Sequence, residues 1–172
     1  MIKEASDWVK FCVDEITKAS RKKVALDLAC GSGRHSVFLS DKVCKVISVD
    51  LNLTYLSTFD KFNIFKIQAD IENLSRWPFK KESFDIVIVT NFLNRLLFQN
   101  IKDVIKKNGY LVYETFGKGH EKFGRPNNND YLLKKGELLK LTKNMSLIYY
   151  EEIKVINVKN KFIKHRILCK NV

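Results

Sequence analysis

The residues best placed to do chemistry lie in the stretch 24–36, V-A-L-D-L-A-C-G-S-G-R-H-S. An apolar run stops at Gly31-Ser32-Gly33, and a helix-like segment follows. A buried strand that ends in glycines and turns into a helix brings bare backbone and a helix N-terminus up to a ligand. The spacing departs from the dinucleotide fingerprint, because Ser36 holds the third glycine position. Asp27, inside the strand just before the loop, would repel a pyrophosphate and suits a ligand that is cationic or rich in hydroxyls and amines. A second carboxylate, Asp50, ends the next apolar run nineteen residues beyond Gly31. An acid at that spacing, at the end of a second strand, is placed to accept hydrogen bonds from ribose hydroxyls. Its alternative role is to cap the segment that follows. Asp70 follows a third run, I-F-K-I-Q-A, as a turn residue or as a third acid at the same edge.

The elements that must position these acids alternate. Residues 3–19 read as an amphipathic helix, with Ala5, Trp8, Val9, Cys12, Ile16 and Ala19 at helical spacing. Strands are expected at 23–29, 44–49, 64–68, 84–90 and 110–116, and helices at 33–40, 51–59 and 92–106. The last of these helices is closed by Lys107-Asn108-Gly109. A further helix is expected from Leu132 to Leu139. Two β-rich runs, 145–156 and 162–169, then meet in a turn near Lys159-Asn160. Such alternation implies a parallel sheet with right-handed crossovers and ligands beyond the carboxyl ends of the strands. The glycine loop, Asp50, Asp70 and Asn91 all fall at that edge.

The segment D-L-A-C-G-S-G-R closely resembles the first motif of class I S-adenosylmethionine-dependent methyltransferases. The resemblance covers essentially the whole chain. It implies an α/β fold, a three-layer α/β/α sandwich around a Rossmann-like sheet of about seven strands, mostly parallel, with an antiparallel last strand between the fifth and sixth. It implies S-adenosylmethionine as cofactor and S-adenosylhomocysteine as product. By resemblance the glycines admit the amino-acid part of the cofactor and Asp27 helps hold its ammonium, directly or through water. Asp70 contacts the adenine amino group and Ile71 packs on the ring. The implied cofactor set is Asp27, Ala29, Gly31, Gly33, Arg34, Asp50, Leu51, Asp70, Ile71 and Asn91. The helix before the first strand often covers the cofactor in such proteins, which puts Trp8 or Phe11 in that pocket. The G-S-G-R-H-S turn, taken with the G-E-L-L helix after the fifth strand, looks most like the small tellurite-resistance-type (TehB-like) branch.

The implied reaction is in-line displacement of a sulfonium methyl group, with a general base needed only for an acceptor protonated at working pH. The stretch after the fourth strand, T-N-F-L-N-R, lacks the prolines of the amino-methylating DNA enzymes, and no Pro-Cys nucleophile is present. A small-molecule acceptor is therefore the expectation. The irregular segment 116–131, F-G-K-G-H-E-K-F-G-R-P-N-N-N-D-Y, is either a substrate lid or a plain surface connection. His120, Glu114 and Arg125 are the candidates for proton handling or substrate orientation.

Length and composition are those of one compact domain, 1–172, with 45% hydrophobic residues and two prolines. No apolar run approaches the roughly 20 residues that cross a bilayer. The start, M-I-K-E-A-S-D-W, is too polar for a secretory signal, so a cytoplasmic protein is expected. Cys12, Cys30, Cys44 and Cys169 show no C-x-x-C spacing and read as buried free thiols, with no metal site. The formal charge of +12 reads as scattered lysines on a solvated surface. Its alternative is an RNA- or ribosome-associated methyltransferase. A catalytically silent cofactor-binding subunit is the third reading.

Overall fold

The computed structural model describes residues 3–73, 75, 77–158 and 160–172. One seven-stranded sheet runs in the order β3-β2-β1-β4-β5-β7-β6. The strands are β1 (Val24–Leu28), β2 (Lys45–Asp50), β3 (Ile64–Gln68), β4 (Phe84–Thr90), β5 (Ile105–Phe116), β6 (Ser146–Ile156) and β7 (Lys161–Lys170). The first five pair in parallel, while β7 is antiparallel to both β5 and β6. This is the expected α/β arrangement with the last strand inserted. The turn expected near Lys159-Asn160 lies partly outside the described residues.

Side-chain alternation gives the sheet two cores. On one face Ala25, Val46, Ile86, Ile88, Val112 and Leu168 pack against Trp8, Val9, Cys12, Val13 and Ile16 of helix α1 (Asp7–Thr17) and Leu39 of α2 (Arg34–Ser40). On the other, Leu26, Leu28, Val87, Val89, Leu111, Tyr113 and Ile167 meet Phe98 and Ile101. Those two residues belong to α4 (Phe98–Asp103), which follows the short α3 (Leu53–Leu56) in the chain. Leu138 of α5 (Glu137–Leu141) joins this second core. α1 begins at Asp7 because Ser6 caps it, its hydroxyl accepting the Val9 N–H at 3.2 Å.

Four expectations need correction. The helix expected over 92–106 is a 3-10 turn, Arg95–Leu97, followed by the six-residue α4. Val104 and Ile105, inside the expected helix, are buried where the chain enters β5. Lys107-Asn108-Gly109 is not a helix stop but part of a bulge inside β5. There Phe84 faces Ile105 and Ile86 faces Tyr110, and Asn108 takes φ 63°. Asn171 clamps the bulge, accepting the Asn108 N–H and donating to Gly109 O, both at 2.8 Å. Leu132 and Leu133 are extended rather than helical; Leu133 bridges Gly117, and α5 starts only at Glu137. Finally, Cys44 is exposed, since it stands just before the exposed first residue of β2; the other three cysteines are buried.

No helix among the described residues is long and apolar enough to cross a membrane. Among them, no group of three or more His, Cys, Asp or Glu is placed to hold a metal ion.

Candidate functional site

Past β1 the backbone enters the left-handed region at Ala29 (φ 54°), Gly31 (φ 54°) and Gly33 (φ 75°). The two glycines differ in purpose. A Cβ built on Gly31 would meet nothing within 4 Å, so this residue faces open space. A Cβ on Gly33 would lie 2.3 Å from the Phe59 ring, so this glycine exists to let Phe59 close on the loop. Asp50, at the end of β2, accepts the Gly31 N–H at 2.8 Å with Oδ2 and the Asn52 N–H at 2.9 Å with Oδ1. The cap of α3 is Asn52, which accepts from Thr54 and Tyr55. Asp50 therefore braces the glycine loop, and each of its oxygens keeps a lone pair for a hydroxyl.

A cavity of about 300 Å³ opens at this edge, lined by Lys3, Ala29, Cys30, Gly31, Ser32, Arg34, His35, Thr90 and Asn91. Of the residues expected from sequence, Ala29, Gly31, Arg34 and Asn91 stand on its wall, with Asp50 one hydrogen bond behind Gly31. Asp27 does not. Strand alternation turns it onto the face under α2, where it accepts the Ser36 hydroxyl at 2.6 Å. Ser48 in turn donates to Ser36 at 2.7 Å. Burial pushes the Asp27 carboxyl up to about 7 against the opposing pull of Ser36. Asp70 is exposed just past β3 at the same sheet edge and accepts the Glu72 N–H at 3.0 Å; Leu51 is exposed, and Ile71 is buried in the core.

His35, in the first turn of α2, has a role that local sequence hardly marks. Its Nε2 accepts the Ser6 N–H at 3.2 Å, so Nδ1 carries the proton and faces Thr90 Oγ1 at 3.2 Å. Burial, then the neighbouring Arg34 charge, lowers it to about 3, so the ring stays neutral. One imidazole thus ties the start of α1 to the end of β4 across the cavity wall. A histidine directly after a glycine turn was the available signal.

The three candidates for proton handling do not converge. Glu114, fully buried on β5, bonds Lys164 Nζ at 2.8 Å and Arg166 Nε at 2.6 Å. Burial raises its carboxyl, but the two cations outweigh burial and hold it below its ordinary value. His120 is buried in a 3-10 turn with its ring stacked on Phe116. Its Nε2 faces Arg125 O at 3.0 Å and its Nδ1 accepts the Ile163 N–H at 3.4 Å. It staples the 116–131 segment onto β7. Arg125 itself is exposed. The segment is pinned further by Arg95, which bonds both Glu137 oxygens and the carbonyls of Asp130 and Leu132. Beside α1, a groove of about 410 Å³ is lined by Asp7, Trp8, Phe11, Tyr149, Tyr150, Glu151 and Arg166. Arg166 lies 5.8 Å from the Trp8 ring, and Trp8 Nε1 is buried with no hydrogen-bond partner among the described residues.

Residues 26–113, which carry this loop, Asp50, Asp70 and Asn91, match the methyltransferase domain family. The chain belongs to that family. Its fold is that of class I S-adenosylmethionine-dependent methyltransferases. The chain aligns over 99% of its own length and 99% of the length of an S-adenosylmethionine-dependent methyltransferase from Methanosarcina mazei, with TM-score 0.70 and 17% identity. It aligns over 93% of its length with 61% of TehB from Haemophilus influenzae, with TM-score 0.72 and 21% identity. An uncharacterized protein of Methanocaldococcus jannaschii is 31% identical over 107 residues, 60% of this chain; the chain spans less than half the length of that relative. The methyltransferase cofactor is S-adenosylmethionine, and the residues present fit it. Gly31 leaves room for a ligand against bare backbone, Asp50 keeps free acceptor capacity beside it, and Lys3 and Arg34 supply cations for a carboxylate.

Proposed function

We propose that this methyltransferase methylates a small-molecule acceptor held in the groove between α1 and the β6–β7 pair. The observation that carries the reading is the groove itself. It has the size of a ligand site, and beside its aromatic walls stand the Arg166 guanidinium, held by Glu114 and Glu151, the Asp7 and Glu151 carboxylates, and one buried, unpartnered indole N–H. Such a lining suits a planar or apolar acceptor bearing an oxygen function, and does not suit a long nucleic-acid strand.

S-adenosylmethionine, when bound, supplies an already activated sulfonium methyl group. The chain's work is to hold, orient and dry. Ala29, Gly31 and Asn91 line the space for the amino-acid part, with Arg34 and Lys3 for its carboxylate. Asp50 is assigned to the ribose hydroxyls, and Asp70 with Ile71 and Leu51 to the adenine end. Asp27 and Gly33 act from behind, one holding α2 through Ser36 and the other admitting Phe59. His35 keeps the first turn of α1 closed over the cavity. Glu114, an ionised carboxylate with both oxygens engaged, is assigned to position Arg166 rather than to remove a proton. His120 and Arg125 are assigned to the loop rather than to the chemistry.

The test is calorimetric titration with S-adenosylmethionine and S-adenosylhomocysteine, followed by radiolabelled methyl transfer to small molecules and to bulk RNA. Saturable cofactor binding that Asp50→Ala weakens, with label entering small molecules, supports the reading. Label entering RNA alone, with steep salt dependence, would replace the acceptor assignment with the reading that the +12 charge favours. A folded protein that binds neither form of the cofactor would overturn the site assignment.

A further inference from the structure

A third concavity, of about 310 Å³, shares no lining residue with the cofactor cavity or the α1 groove. It lies where the β5–α5 segment crosses β6 and β7. Lys164 and Arg166 of β7 meet Glu114 on the α1 face of the sheet, so His165 between them faces the other side. His165 lines this cavity and is 96% buried, being only 4% exposed. One edge of its ring is closed by Gly117, where a Cβ would stand 2.2 Å from Nε2. Its Nδ1 is buried without a hydrogen-bond partner among the described residues. The nearest charge is Glu152 Oε1 at 3.9 Å, beyond hydrogen-bond reach. That oxygen already accepts the Gly136 N–H at 2.6 Å and the Tyr150 hydroxyl.

Burial holds the His165 ring toward its neutral form, against the pull of Glu152. A lone pair on Nδ1 would face the carboxylate and be repelled, so the tautomer with Nδ1–H is favoured. This leaves a buried donor with nothing to donate to, a costly arrangement that native proteins resolve with a bound acceptor. Around the same cavity stand Lys118, Lys135 and Lys154, all exposed, and none forms an ion pair among the described residues. Three ammonium groups outweigh the one carboxylate, whose Oε1 is engaged. Leu133 and Ile163 supply the apolar wall.

We propose that this cavity is a second ligand site, separate from methyl transfer, for a small aliphatic carboxylate. Its oxygens take the His165 Nδ1–H and the lysine ammonium groups, and its short hydrocarbon part lies on Leu133 and Ile163. The requirement for Gly117 and the packed-down β5–α5 segment belong to the same construction: they hold one edge of the imidazole against backbone at the cavity wall.

The experiment titrates the full-length protein with sodium hexanoate and, separately, with inorganic phosphate, at fixed ionic strength. It reads the imidazole nitrogens of His165 and the methyl groups of Leu133 and Ile163 by NMR. Saturable hexanoate shifts at all three residues are expected, with phosphate binding more weakly. The exposed triple variant Lys118→Gln/Lys135→Gln/Lys154→Gln keeps the fold and should weaken hexanoate about tenfold, since each exposed ion pair is worth a factor of a few. Shifts that never saturate, an unchanged affinity in the triple variant, or phosphate binding as tightly as hexanoate would each overturn the proposal. Titration with S-adenosylmethionine serves as the control and should leave these resonances in place; movement of all three would show one site rather than two.

Discussion

Asp27 and His35 face each other's pH dependence across the same loop, and replacing either should unmask the other. The Asp27 carboxyl moves from an ordinary value of 3.8 up to about 7 in the folded chain, chiefly by burial. Between those values the folded protein keeps a proton that the unfolded chain has lost, so this group makes stability fall as pH rises. The gap corresponds to about 4 kcal/mol at about 1.4 kcal/mol per pH unit. His35 runs the other way. Burial takes it from 6.5 to about 3, so below 6.5 the unfolded chain binds a proton that the folded one refuses. Stability from this group is present above pH 6.5 and is lost as pH falls toward 3, by about 5 kcal/mol in all. From pH 4 to 6.5 the two slopes nearly cancel in the native sequence. Asp27→Asn removes the falling slope, so its stability relative to the native chain should climb by about 1.4 kcal/mol per pH unit up to about pH 7 and then level. His35→Gln should do the opposite up to pH 6.5. Urea unfolding at pH 4.5, 5.5, 6.5 and 7.5 measures both, and the differences between variants remove the contribution of every other titrating group. A variant-minus-native difference that stays constant with pH would refute the assigned protonation states.

Other perturbations separate holding the loop from meeting the ligand. Gly33→Ala drives a Cβ to 2.3 Å from Phe59 and should cost about 1–3 kcal/mol in denaturant unfolding; combining it with Phe59→Ala should cost less than the two changes summed. Gly31→Ala, whose Cβ meets no atom within 4 Å, should cost only about 1–2 kcal/mol for its left-handed backbone, yet it should weaken cofactor binding by calorimetry. Arg95→Gln removes the two bonds to Glu137 and those to the Asp130 and Leu132 carbonyls, and should raise amide exchange across 117–135 while leaving β1 to β4 protected. Asp50→Ala releases the Gly31 and Asn52 N–H groups together and should weaken S-adenosylhomocysteine at least about tenfold, as one charge-assisted bond to the glycine loop and one to the start of α3 are lost.

The strand frame was legible because buried parallel strands read as short apolar runs between turn residues. β4 occupies 84–90, as its buried pattern F-D-I-V-I-V-T requires, while I-F-K-I-Q at 64–68 forms β3 as a mostly exposed edge strand. The helices were less legible where apolar spacing served two periods at once. Leu97, Phe98, Ile101, Val104 and Ile105 suit one continuous helical face, yet the chain leaves the helix at Asp103 and uses Val104 and Ile105 to enter β5. At the site, Ala29, Gly31 and Asn91 follow strand ends and Arg34 opens α2, so they share a cavity at the sheet edge that topology alone predicts. Asp27 lies inside its strand, and alternation from Ala25 puts it on the α1–α2 face. Ser36, conspicuous in the sequence only as a missing glycine, is what receives it there. The roles of His120 and Arg125 depended on contacts with Ile163 and with each other that local sequence does not encode.

The glycine motif thus carries two separable meanings. Gly31 lines the cavity with Asp50 one hydrogen bond behind it, whereas Asp27, Gly33 and Ser36 are spent on holding α2 and Phe59 against the loop. A chain could lose turnover and still need the second group to fold, so an intact motif speaks more strongly for architecture than for catalysis. The proposed acceptor groove puts the residues that would distinguish an active methyltransferase from a silent one outside the motif, on the wall between α1 and the inserted β7. There Glu114 sits fully buried against two cations, although burying a carboxylate for packing alone would be unfavourable. An apolar pair would have filled that volume at less cost. What the buried triad adds is a fixed direction for the Arg166 guanidinium toward Trp8 and the groove. Under the proposed acceptor site, that fixed direction is what the buried charges are assigned to supply.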